Sequence, residues 1–243
     1  ATRGEAGEVA AEYLRDYASI AELREAELRC AAGHLGLSGV HFLDYRDSGM
    51  AGSADNAHPQ AFINAPLEEV AQKVACKIRE LKPQVVLTFD PIGGYRHPDH
   101  IHIHKATERA FHLAGDPDFT CDLPPYQPQR LYYHTISKRF LRFAVGFLRL
   151  IGKDPSKWGR NQDIDLTKLL VDFPTHARIN YAPVLKRKEA ASRCHASQIG
   201  PAITGGPFRW LLRLLRFDTT DFFMQAYPPP EEGKILTDLF AEA

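Results

Sequence analysis

The sequence contains no run of about 18 or more apolar residues, the length a helix needs to cross a bilayer, so no membrane span is expected. Net charge is also missing. Lys plus Arg and Asp plus Glu each number 30 in 243 residues, which removes the overall basic excess of a nucleic-acid binder. The four cysteines, Cys30, Cys76, Cys121 and Cys194, form no C-x-x-C pair, so their spacing suggests neither a thiolate metal cluster nor a disulfide framework. They are expected as free thiols in a reducing cytoplasm. No G-x-G-x-x-G follows a strand, and TRGEAGE offers only a weak G-x-x-G, which argues against a nucleotide-dependent enzyme. The opening stretch ATRGEAGEVAAEYLRDY has no apolar segment of the kind a secretory leader carries, and a cytoplasmic location is expected.

What is present is ordinary for a globular chain: 44% hydrophobic and 25% charged residues, enough to bury one substantial core. A single domain over residues 1–243 is expected. Residues 20–35 carry apolar side chains at helical spacing and stop on Gly36. HFLDY at 41–45 reads as a short strand before the turn-rich RDSGMAGSADNAHP. Pro66 opens a second helix, with Glu68 and Glu69 in its first turn and Lys77, Arg79 and Lys82 near its end, where the helix dipole favours each sign. Pro83 ends it, and QVVLTF follows as an apolar run of the type buried on both faces of a parallel sheet. This order predicts a doubly wound, Rossmann-like α/β layer fold: a mostly parallel sheet, helices on both faces, and residues 83–90 as a central strand.

That strand runs into DPIGGYRHPDHIHIHKATERAF. Gly93 and Gly94 permit a sharp turn, and Pro98 suits the first position of a helix. HPDH therefore falls where a helix starts beyond the carboxyl end of a strand, the usual ligand position in open α/β sheets. His97 and His100 share one side of that helix start, His104 continues the face, and His102 points elsewhere. Three imidazoles with Asp99 and Tyr95 suit a metal or acid/base site, although exposed histidines on a polar helix start would give the same pattern.

GGYRHPDH after VVLTFDP resembles the second signature of the LmbE/PIG-L family of zinc-dependent deacetylases of N-acetylglucosamine conjugates. TRGEAGE at 2–8, Arg24 with Glu27, YRDSGM at 45–50 and HASQ at 195–198 follow the same family pattern in order. The resemblance implies hydrolysis of an N-acetyl amide to acetate and a free sugar amine, with Zn2+ as cofactor and a small-molecule glucosamine conjugate as partner. It implies His100 as zinc ligand, His97 as a charged or proton-donating group beside the scissile amide, Asp99 as a group orienting an imidazole, and Tyr95 near the developing oxyanion. Asp47, Arg24 and Glu8 match sugar-contacting positions; for Arg24 and Glu8 a surface charge pair is the alternative. His195 and Gln198 either line the cleft or cap a helix turn.

The chain departs from the family at two points. Arg96 stands where the family has Gly or another compact residue, which implies a narrower or more basic pocket mouth. The first family signature, AHPDDE, which brings a His and an Asp to zinc and a further Asp as base, does not occur. The domain is therefore expected to be N-terminally incomplete, with weak zinc binding and little activity by itself. A noncatalytic sugar-conjugate-binding protein is the alternative function.

In the second half, LYYHTI at 131–136 reads as a strand. SKRFLRFAVGFLRLIGK sets Arg139, Arg142 and Arg149 opposite a Phe/Leu/Val face, and FRWLLRLLRF at 208–217 repeats the design. Such helices cover the core, join a second copy in a homo-oligomer, or rest on a membrane surface. Residues 139–175 are expected as a helical lid over the site.

Overall fold

The computed structural model describes residues 1–159, 162–198 and 219–241. Helix α1 spans Ile20–Leu35; the Ser19 hydroxyl accepts from the Glu22 N–H at its start, and Gly36 closes it at φ 74°. Helix α2 spans Leu67–Leu81, opened by Pro66 and closed by Lys82 at φ 47°. Strand β1, Val85–Phe89, is followed by the one-turn α3, Gly93–Arg96, and by α4, Pro98–Gly115. Then come β2 (Arg130–Thr135), α5 (Lys138–Leu150), β3 (Ala177–Asn180), α6 (Leu185–Cys194) and β4 (Thr220–Tyr227).

These strands form one sheet in the order β1-β2-β4-β3. Only β1 and β2 run parallel; β4 is antiparallel to both β2 and β3. The fold is thus α/β with a mixed sheet, which corrects the expectation of a mostly parallel one. The apolar content of β2 and β4 is similar in either direction, so hydrophobicity could not reveal the reversal. Nor is β1 central among the described strands. It lies at the end of the sheet, and Leu87 and Phe89 remain 50% and 36% exposed. HFLDY is not a strand either: Asp44 takes φ 58°, which breaks the extended backbone, and only Arg46 bridges to Ala61.

Helices α2 and α4 lie together on one face of the sheet. Ala71, Ala75 and Ile78 of α2 meet Ala110, Leu113 and Ala114 of α4, with Val86 of β1 packed against them. Alanines at this seam let the two helices approach closely. On the same face Phe111 is fully buried against Leu131 and Tyr133. The opposite face, with Tyr132, Ala177 and Phe223, packs against Leu236 and Leu239 of an irregular segment. Ile78→Val should cost about 1 kcal/mol by removing one methylene from the α2–α4 seam, measured as a lowered denaturation midpoint at unchanged slope.

Beyond β2, the apolar stripe of α5 is buried: Leu141, Val145 and Leu148 pack with Leu166 and Leu169. This cluster also touches Ile92 and Tyr95, so α5 and residues 164–170 pack against the turn that leaves β1. The amphipathic pattern of α5 therefore serves the chain's own packing. The second arginine-rich stretch, 208–217, lies outside the described residues. Among the described residues, no helix is long and apolar enough to cross a membrane.

Helices α1 and α6 pack side by side, and Cys30 is disulfide-bonded to Cys194 with the Cα atoms 5.8 Å apart. This corrects the expectation of four free thiols. A separation of 164 residues hides such a pair from any reading of spacing. Cys76 and Cys121 are free, and burial together with the neighbouring Cys121 pushes the Cys76 thiol up to about 11.

Candidate functional site

The site begins with the turn that leaves β1. Asp90 is buried, and its Oδ1 accepts from the N–H groups of Ile92 and Gly94 at 3.1 and 2.8 Å, folding the chain back on itself. Gly93 then sits at φ 67°, where a Cβ would lie 2.8 Å from the Ile101 backbone nitrogen and 2.9 Å from the His100 Cβ. Only glycine fits both the angle and the space. The turn delivers His97 to the N-cap of α4, where its Nδ1 accepts from the Asp99 N–H at 3.2 Å.

One helical turn on, His100 Nδ1 lies 3.2 Å from the Gly93 carbonyl. A carbonyl only accepts, so Nδ1 of His100 carries the proton and Nε2 keeps its lone pair. His97 is fixed the other way: its Nδ1 accepts, so the proton of the neutral ring is on Nε2. Two imidazoles with centroids 4.8 Å apart thus hold opposite tautomers, one ready to ligate and one ready to donate. Burial lowers the pKa of both. His100, further lowered by His97, falls to about 4, while Asp47 and Asp163 partly oppose the effect at His97. His100 is stacked on Phe89 at 3.9 Å and meets the edge of Tyr95 at 5.0 Å. Burial and the Asp47 charge raise the Tyr95 pKa, keeping its phenol protonated as a donor.

YRDSGM supplies the second wall. Ser48 is fully buried: its N–H donates to Asp99 Oδ2 at 3.2 Å, and its hydroxyl accepts from the Ile63 N–H at 3.0 Å. Beside it Asp47 is also buried, with Oδ1 accepting from Gly49 N–H and Oδ2 from Ala6 N–H. The Asp47 N–H donates to Glu5 Oε1 at 2.9 Å. Arg24 of α1 lies against Gly4 and Gly7, where an added Cβ would come within 2.3 Å of its guanidinium nitrogens. The glycines of TRGEAGE are there to let this arginine in. Its Nε is buried without a hydrogen-bond partner, as is Glu5 Oε2, so both polar atoms are left for a ligand or water.

The structure therefore gathers Tyr95, His97, Asp99, His100, Asp47 and Arg24, whose charges and rings act on one another. Glu8 is exposed, and Glu5 is the glutamate of that block that bonds to Asp47. Sequence reasoning also passed over Ser48, Asp90 and Asp163; the position of Asp90 at the strand end was the only available signal. His104 is drawn into the core, its Nδ1 2.7 Å from the Phe89 carbonyl and its ring against Tyr133, so it holds α4 to β1. His102 faces away and packs edge-on to Phe62. Gln198 donates to Glu27 Oε2 at 3.1 Å, and Ser197 donates to the same buried carboxylate through both N–H and Oγ. Arg96, at φ 67°, reaches out to the Lys168 carbonyl at 3.0–3.1 Å and so pins the overlying segment.

The fit of a divalent metal can be judged from these donors. His100 Nε2 is an available ligand, and Asp99 Oδ1 is buried with no hydrogen-bond partner, which suits a carboxylate oxygen able to accept a cation or a donor. Among the described residues, no three His, Cys, Asp or Glu ligand atoms gather within 4.8 Å at this end of β1. The residues present thus fit one coordination position and its negative surroundings.

Asp99 shows the cost of that arrangement. Burial raises its pKa, Ser48 hydrogen bonds oppose the rise and the Asp47 carboxylate adds to it, leaving a value of about 7. The unfolded chain releases this proton near pH ~4, so the metal-free fold loses stability as pH rises from there to about 7. Asp99→Asn in chelator-treated protein should melt higher than the parent at pH 8, with the gap shrinking at pH 4. An equal gap at both pH values would contradict the raised pKa.

The fold and site together define an α/β protein with a candidate site built around a helix-start histidine pair. The chain belongs to the PIG-L family, matching its description "GlcNAc-PI de-N-acetylase" over residues 1–111. A 1D-myo-inositol 2-acetamido-2-deoxy-alpha-D-glucopyranoside deacetylase from Geodermatophilus obscurus is 36% identical over 85% of this chain and 73% of its own length. One from Thermobifida fusca is 34% identical over 99% of this chain and 86% of its own. Among solved structures, the N,N'-diacetylchitobiose deacetylase of Pyrococcus horikoshii superposes with a TM-score of 0.59 at 18% identity, over 92% of this chain and 70% of that one. At that identity the likeness concerns the fold.

Proposed function

We propose that this protein hydrolyses the N-acetyl amide of a glucosamine conjugate, releasing acetate and a free sugar amine, and that Zn2+ is its cofactor. The observation that carries the reading is the opposite tautomers of His97 and His100 on one helix turn, in a chain whose relatives are named deacetylases of a 2-acetamido sugar. His100 Nε2 would hold the metal, with Asp99 and Asp47 as nearby negative charge. When bound, zinc supplies Lewis acidity toward the amide carbonyl and the attacking water. His97 Nε2–H and the Tyr95 hydroxyl donate hydrogen bonds where the carbonyl oxygen gains charge. Asp47, Glu5 and Arg24 offer acceptors and a donor to sugar hydroxyls, and residues 138–170 restrict water.

A second reading, a noncatalytic sugar-conjugate binder, is favoured by the lack of a three-ligand cluster beside His100 among the described residues. The two are separated by incubating the protein, with and without added zinc, with an N-acetylglucosaminyl-inositol and measuring acetate. Zinc-dependent acetate release supports the deacetylase. Saturable binding with no acetate under any metal condition overturns it in favour of the binder.

A further inference from the structure

A different cluster lies where α1 meets α6. Cys30 and His34 are four residues apart on that helix and so share one face, and Cys194 is the last residue of α6 packed alongside. One ligand atom from each of these three residues lies within 4.8 Å of the others, the only such group among the described residues. Cys30 and His34 are exposed and Cys194 is half-buried, so an ion from solvent can reach them. Among the described residues, His34 has neither a hydrogen-bond nor an ion-pair partner, leaving its imidazole free to ligate.

We propose that Cys30, His34 and Cys194, with the disulfide reduced, form a second cation site selective for a thiolate-preferring divalent ion such as zinc, separate from the HPDH site. Two thiolates and an imidazole are a standard part of tetrahedral zinc coordination, with water able to take the fourth position. The Cα atoms of the cysteines are 5.8 Å apart. Side-chain rotation alone can then place the sulfurs about 3.8 Å apart, as two Zn–S bonds of about 2.3 Å at the tetrahedral angle require.

Disulfide and metal exclude each other because both use the same sulfur electron pairs. A low-molecular-weight disulfide, RSSR, takes two electrons from the two thiolates: the protein S–S bond forms, the R–S–S–R bond breaks, two protons give two RSH, and the cation leaves. Either state ties α1 to the end of α6. That tie sits one helical turn from Glu27, whose carboxylate anchors Ser197 and Gln198, so the α1–α6 junction is held in reducing and oxidising surroundings alike. The other cysteine pair is unsuited to the role: Cys121 lies 3.7 Å from the Arg79 guanidinium, whose positive charge opposes a cation.

Cobalt(II) is the probe, because thiolate ligands give it a charge-transfer absorption that imidazole and carboxylate ligands do not. The full chain, reduced with a phosphine and freed of metal, should gain this band with one cobalt per chain, whereas the oxidised chain should not. Cys30→Ser and Cys194→Ser should each diminish or abolish it, and His34→Ala should weaken cobalt binding at least 10-fold. The Cys76→Ser/Cys121→Ser double variant and His100→Ala should keep it, and adding RSSR should release the ion with two RSH formed. Circular dichroism checks that each variant is folded. The proposal is overturned if the reduced chain shows no band, if the band follows Cys76 and Cys121, or if His34→Ala binds as tightly as the parent. Because the band reports thiolates alone, its absence says nothing against zinc at His100, and its presence nothing for it.

Discussion

His100→Ala is expected to strip the metal and reduce acetate release by about 10³-fold or more, whereas His97→Ala should keep the metal and lose about 10²–10³-fold in turnover, the range for deleting one donor to a developing oxyanion. The difference follows from the ring nitrogens. His100 gives its Nδ1 proton to Gly93 and has a lone pair left at Nε2; His97 spends its Nδ1 lone pair on the Asp99 N–H and has a proton left at Nε2. Because His97 also caps α4, alanine there should cost about 1 kcal/mol of stability. His97→Ser separates the two effects: a serine hydroxyl can cap the helix but cannot reach as an Nε2 donor, so stability should return and activity should not. Metal content, melting temperature and kcat measured on the three variants decide it. Equal metal loss at both positions would mean that His97 is itself a ligand.

Arg79→Met should be the most damaging substitution away from the site, lowering stability by about 3–5 kcal/mol. Arg79 is 1% exposed in α2, and its guanidinium donates to the carbonyls of Ala114, Asp116, Phe119 and Leu123 while lying over the Phe119 ring at 4.8 Å. It thereby fastens the loop after α4 to α2. Methionine fills much of the same volume but leaves four carbonyls without their donor, that of Ala114 buried and the other three partly buried. Chemical denaturation reads the loss as a lower midpoint, and a change under about 1 kcal/mol would show that water replaces the arginine.

Arg79 also marks how sequence reading works and where it stops. As a basic residue near a helix C-terminus it reads as a dipole partner, which says nothing of its burial; that depends on a loop some 35–44 residues further along the chain. Helices α1 and α2 were legible because apolar periodicity, Gly36, Pro66 and Pro83 are local signals that act within a few residues. The helix-start histidines were legible for the same reason: Gly93, Gly94 and Pro98 dictate the turn by their own backbone limits. HFLDY failed because β-propensity without a partner strand does not make a strand.

Local chemistry along the chain thus set the strand–turn–helix that carries HPDH, the family pattern and the class of reaction, since each rests on residues a few positions apart. Packing alone set the direction of β4, the place of β1 at the end of the described sheet, the Cys30–Cys194 bond, and the choice of Glu5 over Glu8 beside Asp47. The physical reason is range. Backbone sterics, capping and helix periodicity act between near neighbours, whereas strand direction, disulfide pairing and buried carboxylate partners depend on groups brought together only when the core closes, such as Glu27 and Ser197 at a separation of 170 residues.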